Sequence, residues 1–251
     1  VVSIDKDRLG LFTSRERESL ARTLGVKLLN LEFERVKNQT PEQFFAFLKS
    51  LGCTTLVVGE DWRFGRNRAG DVNLATQLGR IVGIEVFTVS AVALEGEKVA
   101  TTKVVSLISA GEVRRATELL GFPYFCLGKV EAGRQFGRRI GYPTLNIRCF
   151  KKLLLPNGVY EVRLWLKGKS YMAVANLGVK PTFGAVERTL EVHIPDAELP
   201  ELYGEEVKVE FLSFLRKEMA FSSTKELAKQ IQADIERVKL LWRSSLGRAK
   251  V

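Results

Sequence analysis

GKVEAGRQFGRRIGYPTLNI, from Gly128 to Ile147, is the stretch whose reading decides the fold of this chain. Three of its four glycines, Gly133, Gly137 and Gly141, recur every fourth position. Glycines spaced in this way let a backbone take unusual dihedrals or approach a ligand closely. Between them stand Arg134, Arg138 and Arg139, whose guanidinium donors suit phosphate oxygens. If Pro143 opens an extended segment, Thr144 and Asn146 share one face. A hydroxyl and an amide carbonyl there are hard oxygen donors of the kind that hold Mg²⁺ together with ATP phosphates. The stretch lacks the Gly-Lys-Ser/Thr ending of a Walker loop, and its spacing alone leaves a Gly- and Arg-rich surface loop equally open.

Around and beyond it the chain reads as β-structure. Period-two runs at Phe125–Val130, Val159–Leu166, Tyr171–Asn176, Thr189–Ile194 and Val207–Leu212 are split by Gly, Pro and Asn. With Lys167-Gly168-Lys169 as a hairpin turn, the pattern predicts a small antiparallel barrel. In Thr189–Ile194, Leu190, Val192 and Ile194 point one way while Thr189, Glu191 and His193 point the other. A carboxylate beside an imidazole on a barrel wall is either a solvated face or a site. Ser223-Thr224-Lys225-Glu226 starts a closing helix. Its apolar stripe is Leu227, Ile231, Ile235, Val238 and Leu241, and Lys239 and Arg243 near its end complement the helix dipole.

Upstream, helices alternate with strands. Thr13-Ser14-Arg15-Glu16 and Thr40-Pro41-Glu42-Gln43 are helix starts, the second with Pro at the first helical position. Strands are expected at Val26–Phe33, Thr54–Val58 and Glu85–Val89, and helices at Asp71–Leu78 and Ser109–Leu120. That order predicts an α/β sheet with parallel strands. Ligands in such sheets bind at the carboxyl ends of strands, which draws attention to VGEDWRFGRNRAGD at Val58–Asp71. The change of character at Gly121-Phe122-Pro123 divides the chain into modules 1–121 and 122–251.

The composition, 45% hydrophobic and 27% charged, is that of a folded protein. The net charge of +10 raises nucleic-acid binding, but the one dense basic group lies inside the glycine loop with no interleaved aromatics. No nucleic-acid partner is therefore expected. No run is long and apolar enough to span a bilayer and no secretory signal is visible, so no membrane partner is expected either. The three cysteines, Cys53, Cys126 and Cys149, have no CxxC spacing and read as reduced residues of a cytoplasmic protein.

On the residues quoted, Gly128–Ile147 resembles the nucleotide loop of the riboflavin kinases, which usually ends Gly-aromatic-Pro-Thr-Ala-Asn. Leu145 stands here for the alanine. Further motifs follow collinearly: LPNGVY at Leu155–Tyr160, VANLGVKPTFG at Val174–Gly184, LEVHI at Leu190–Ile194, LYG at Leu202–Gly204 and LRKE at Leu215–Glu218. The resemblance implies ATP-dependent phosphorylation of riboflavin to FMN with Mg²⁺ as cofactor. It implies Glu191 as general base, Thr144 and Asn146 as metal ligands, and a nucleotide loop of Gly133, Gly137, Arg138, Gly141, Pro143 and Thr144. It draws flavin contacts from the segment Ile194–Gly204 and from Arg216 and Glu218. Read from the residues alone, Arg216 and Glu218 would be a surface ion pair, and Asn176 could be a turn residue.

Val58–Asp71 resembles the Gly-x-Asp-Phe-Arg-Phe-Gly segment of bacterial enzymes that join an FMN adenylyltransferase module to a riboflavin kinase module. This implies a second flavin site at Asp61 and Phe64. Two departures set the expectation for this module. Its family's Gly-x-Phe-Asp-Gly-x-His-x-Gly-His loop is missing, and the chain's one histidine is His193. Its Ser-Ser-Thr-Arg-Ile-Arg signature is replaced by Ala100-Thr101-Thr102-Lys103-Val104-Val105. Adenylyl transfer depends on electrostatic stabilisation of the phosphate, so an incomplete Rossmann-like nucleotidyltransferase module with little activity is expected. A bifunctional riboflavin kinase and FAD synthetase is the alternative. A non-catalytic flavin- or nucleotide-binding regulator is the third reading, against which Glu191 speaks, because a binder has no use for a base.

Overall fold

The structure, a computed structural model, describes residues 2–5, 10–133, 136–182, 185–197 and 202–248. The chain forms two compact units, Val1–Val99 and Ala100–Val251.

In the first unit β1 (Val2–Asp5) is followed by α1 (Ser14–Thr23), and β1 pairs in parallel with β2 (Leu29–Glu32). Thr13 and Glu16 close a reciprocal cap on α1, with Glu16 N 3.2 Å from Thr13 Oγ1 and Thr13 N 2.8 Å from Glu16 Oε2. The strand is shorter than expected because Phe33 already begins a helical turn, α2 (Phe33–Val36). α3 (Pro41–Ser50) starts on the same kind of cap, made by Thr40 and Gln43. β3 (Thr55–Gly59), a 3₁₀ turn at Arg66–Arg68, α4 (Val72–Val82) and β4 (Glu85–Val89) follow, and β3 pairs in parallel with β4. Asp71 caps α4 by accepting from Leu74 N at 3.0 Å. The short strands β5 (Ala93–Leu94) and β6 (Glu97–Lys98) pair antiparallel. Phe44, Phe45 and Leu48 of α3 form the core with Phe64, Leu78 and Ile84. The predicted parallel α/β character is thus present.

In the second unit the single helix predicted at Ser109–Leu120 is two: α5 (Thr101–Ala110) and α6 (Val113–Leu120). Gly111, at φ 82°, ends α5 in the left-handed region. α5 gives little warning of its start, because Ala100 offers no side-chain cap. Both helices group with the barrel, so the compact units part at Val99 and Ala100, upstream of Gly121, where the β-strands are about to begin.

The barrel consists of β7 (Phe125–Glu131), a helical turn α7 (Phe136–Arg139), β8 (Thr144–Cys149), β9 (Gly158–Leu166), β10 (Lys169–Thr182), β11 (Ala185–His193) and β12 (Glu206–Arg216). All neighbours are antiparallel, and the sheet closes in the order β10-β11-β8-β7-β12-β9. Closure leaves no free edge. Lys167 and Gly168, at φ 49° and 78°, make the two-residue turn between β9 and β10, with the twist that a hairpin prefers. α8 (Thr224–Arg248) follows β12. Ser223 Oγ accepts from Glu226 N at 3.2 Å, while the Glu226 carboxylate turns to Ser222 rather than closing the cap on Ser223. Ile231, Ile235, Val238 and Leu241 of α8 pack on Val159, Val174 and Leu215, which fixes the helix to the outside of the barrel.

Candidate functional site

Ladder register assembles the site. Glu191 on β11 faces Asn176 of β10 on one side and Asn146 of β8 on the other. Two positions on, His193 faces Val174 and Thr144. Residues opposite one another in antiparallel strands share a face, so Thr144, Asn146, Asn176, Glu191 and His193 form one patch. Leu190 and Val192 point the other way, 2% and 0% exposed. Both face assignments made from the alternation therefore hold. Asn176 lies in mid-strand rather than in a turn, because β10 runs on to Thr182.

Two clefts flank the patch. The smaller, about 290 Å³, has Thr144, Asn176, Glu191 and His193 on its wall and Leu227, Ile231 and Asp234 of α8 opposite. Gly137 and Tyr142 enter from the glycine loop, and Arg216 and Glu218 from the end of β12. The larger, about 790 Å³, is bounded by Gly133, Asn146, Arg148, Lys151, Lys152 and Arg188, among others. Thr144 thus lines one cleft and Asn146 the other, on adjacent same-face positions of a single strand.

Close backbone approaches shape both. A Cβ at Gly133 would run into the Asn146 amide, and one at Gly178 would run into the Glu218 carboxylate. Glu218 therefore lies against the barrel wall beside Asn176. Arg216 does not pair with Glu218. Its guanidinium grips Asp234 of α8 with Nε–Oδ1 3.0 Å and a second nitrogen to Oδ2 at 2.7 Å. Gln230 donates to the same carboxylate at 3.0 Å. A planar fork on a carboxylate is a directional pair, and here it ties the helix to the mouth of the cleft. The surface-pair expectation failed because α8 covers Arg216, a long-range contact without a local sequence signal.

His193 Nδ1 lies 2.8 Å from the Pro143 carbonyl oxygen. A carbonyl only accepts, so Nδ1 carries the proton and donates it. Burial lowers the imidazole from its ordinary value, opposed by the Pro143 carbonyl and by Asp196. Tyr142 stacks edge-on against the ring at 5.6 Å, and its hydroxyl donates to Gln232 of α8 at 3.3 Å.

The other expected residues are dispersed. Arg138 is exposed on α7, Gly141 turns at φ 87°, and Pro143 leads directly into β8. Ile194 is buried at 7% exposure, and Gly204 N donates to Val130 O at 2.8 Å. Neither of these two lines a cleft described above. Arg134, the last two residues of the motif 174–184 and most of 198–204 lie outside the described residues. In the first unit Asp61 is exposed and bound to Lys98 at 2.9 Å, a hydrogen bond that lowers its carboxyl pKa. Phe64 turns into the core of the unit. It is 6% exposed, stacked on Trp62 at 4.5 Å and packed against Phe45.

Among the described residues no cluster of three or more His, Cys, Asp or Glu could hold a metal. No helix among them is long and apolar enough to cross a membrane.

Two family models match the chain. The riboflavin kinase family matches residues 120–242 and the FAD synthetase family residues 1–103. A bifunctional riboflavin kinase/FMN adenylyltransferase of Pseudomonas fluorescens is 33% identical over 226 residues, covering 88% of this chain and 72% of its own. The protein of the same name from Buchnera aphidicola is 34% identical over 202 residues, covering 77% of this chain. The chain spans 64% of the length of that relative and 61% of the one from Haemophilus influenzae. A solved structure titled as a macrolide-efflux protein from Streptococcus pneumoniae is 32% identical with a TM-score of 0.81, covering 91% of this chain and 75% of that one. The FAD synthetase match reaches Lys103, within the altered signature. The motif departures therefore do not remove the first module from its family, and they are no ground for setting its activity aside.

Proposed function

Because the chain belongs to the family of bifunctional riboflavin kinase/FMN adenylyltransferases, we propose that its barrel phosphorylates riboflavin to FMN with ATP. The observation that carries this reading is the row Asn176–Glu191–Asn146, set between two clefts with Thr144 and His193 beside it. The nucleotide lies in the larger cleft, where Arg148, Lys151 and Lys152 supply positive charge. The ribityl end of riboflavin enters the smaller cleft beside Glu191. There Glu191 accepts the proton of the primary hydroxyl as its oxygen attacks the γ-phosphorus. His193, lowered by burial and fixed through Pro143, shapes the wall and takes no part in proton transfer in this scheme.

Thr144 and Asn146 offer two hard oxygens on one face, a donor set that fits Mg²⁺ arriving with the phosphates rather than on a protein cage. Held by Thr144 and Asn146, Mg²⁺ would supply charge neutralisation to the phosphates. The test is direct. Purified protein given riboflavin, ATP and Mg²⁺ forms FMN, read by chromatography, and a folded protein that forms none would overturn the proposal.

A second reading, that the chain also adenylylates FMN to FAD, is favoured by the FAD synthetase match over residues 1–103. Given FMN and ATP, this chain is expected to form FAD and release pyrophosphate. A folded protein that forms FMN but no FAD would remove this second reading.

A further inference from the structure

Two thiols that the sequence separates meet at the base of the glycine loop. The ladder pairs Gly128 of β7 with Cys149, the last residue of β8. Cys126 sits two positions before Gly128, so both cysteines share the face of buried Val130 and Ile147. Cys149 Sγ lies 2.9 Å from Cys126 Sγ. A disulfide needs about 2.05 Å, so under an ångström of approach separates the pair from a bond. Cys126 is fully buried, whereas Cys149 is half-buried and lines the larger cleft.

We propose that Cys126 and Cys149 form a modification site: a reversible internal disulfide made by exchange with a low-molecular-weight disulfide RSSR. Cys149, the thiol that the cleft reaches, attacks one sulfur of RSSR. The S–S bond breaks, one RS⁻ leaves, and a Cys149–S–SR mixed disulfide forms. The Cys126 sulfur then attacks the Cys149 sulfur and expels the second RS⁻. The two protons released by the cysteines end on the two RS⁻. The protein loses two electrons and RSSR becomes two RSH. The resulting ring runs from residue 126 to residue 149 and encloses the whole glycine loop, tying together the strands from which it springs. On the reading above, that loop holds the nucleotide, and ATP handling is what the bond would adjust.

Treating the reduced chain with glutathione disulfide, then denaturing, alkylating and peptide-mapping it, tests the site without any turnover assay. The expected product is a Cys126–Cys149 cross-linked peptide pair, two hydrogens lighter than the dithiol and reopened by dithiothreitol. In Cys126→Ala the reaction is expected to stop with glutathione held on Cys149. Recovery of both wild-type cysteines as alkylated thiols would overturn the proposal, and so would glutathione that stays on Cys149 in the wild type. Because the readout is chemical, absence of kinase activity would leave the result intact and count only against the nucleotide reading.

Discussion

Each unit places an ion pair beside residues that the sequence marks for a ligand, and the two pairs behave differently. In the first unit Lys98 and Asp61 meet at 2.9 Å with side chains 56% and 74% exposed. In the second, Arg216 and Asp234 meet at 2.7 Å with side chains 19% and 6% exposed. Water competes for the first pair and is largely excluded from the second, so only the second can hold an element in place. The same contrast runs through the candidate sites. The barrel residues sit on strands whose register is fixed by a closed ladder. The first unit's candidates sit in the loop after β3, where Phe64 has been taken into the core.

The largest effect expected from this contrast is at Glu191. Glu191→Gln removes the proton acceptor while keeping size and hydrogen bonding. Loss of general-base assistance lowers turnover by ~10²–10⁴-fold, with a smaller change in KM for riboflavin. FMN adenylylation, measured on the same sample, is expected to be unchanged. Near-normal turnover would break the assignment, and parallel loss of both activities would show that the variant had misfolded.

Next in size is the clamp. Asp234→Ala leaves the Arg216 guanidinium buried without its carboxylate, a change that commonly costs ~3–5 kcal/mol. It also frees the helix that forms one side of the smaller cleft, so riboflavin binding is expected to weaken with stability. Asp61→Ala, at the exposed pair, is expected to leave the denaturation midpoint where it was. Equal responses in urea titrations of the two variants would remove the distinction on which the comparison rests.

What could be read in advance divides along the same line. Period-two alternation was enough to put Glu191 and His193 on one face and Leu190 and Val192 on the other, because a one-residue slip would invert every side chain. Cap chemistry at Thr13 and Thr40 marked two helix starts for equally local reasons. The alternation could not say which strands would be neighbours, so the Asn176–Glu191–Asn146 row emerged only from the ladder. Asp234 and Tyr142 were invisible because they act through the docking of α8, and the two thiols because only the pairing of β7 with β8 brings them together. The burial of Phe64 was not legible, because its motif is a loop motif and nothing local says whether its ring turns into the core.

A smaller effect is expected at the paired oxygens. Thr144→Val and Asn146→Leu each remove a hard donor at similar volume. Each should raise the Mg²⁺ concentration for half-maximal FMN formation severalfold, with circular dichroism unchanged. Asn146 is also pressed by Gly133, so its variant is expected to raise KM for ATP as well, while Thr144→Val is not. Metal dependence unchanged in both folded variants would refute the metal role.

The smallest effect is the acid response of the barrel, and its sign follows from burial. The His193 imidazole is lowered in the folded chain, chiefly by burial, whereas an unfolded histidine titrates near 6.5. Between those two values the unfolded chain binds more protons than the folded one, so unfolding free energy rises with pH across that window. Stability is therefore lost as pH falls through about 6.5, and above that point the group adds no slope. The shift is moderated because the Pro143 carbonyl and Asp196 both favour the charged ring. Asp196 is itself held by Lys239 at 2.7 Å. His193 is the chain's one histidine, so the first unit has no group with an ordinary value here. Urea midpoints of wild type and His193→Gln, taken at several pH values from above 7 down to about 5.5, should show a slope in the wild type that the variant lacks. Parallel slopes would place the acid sensitivity elsewhere and remove burial of His193 as its cause.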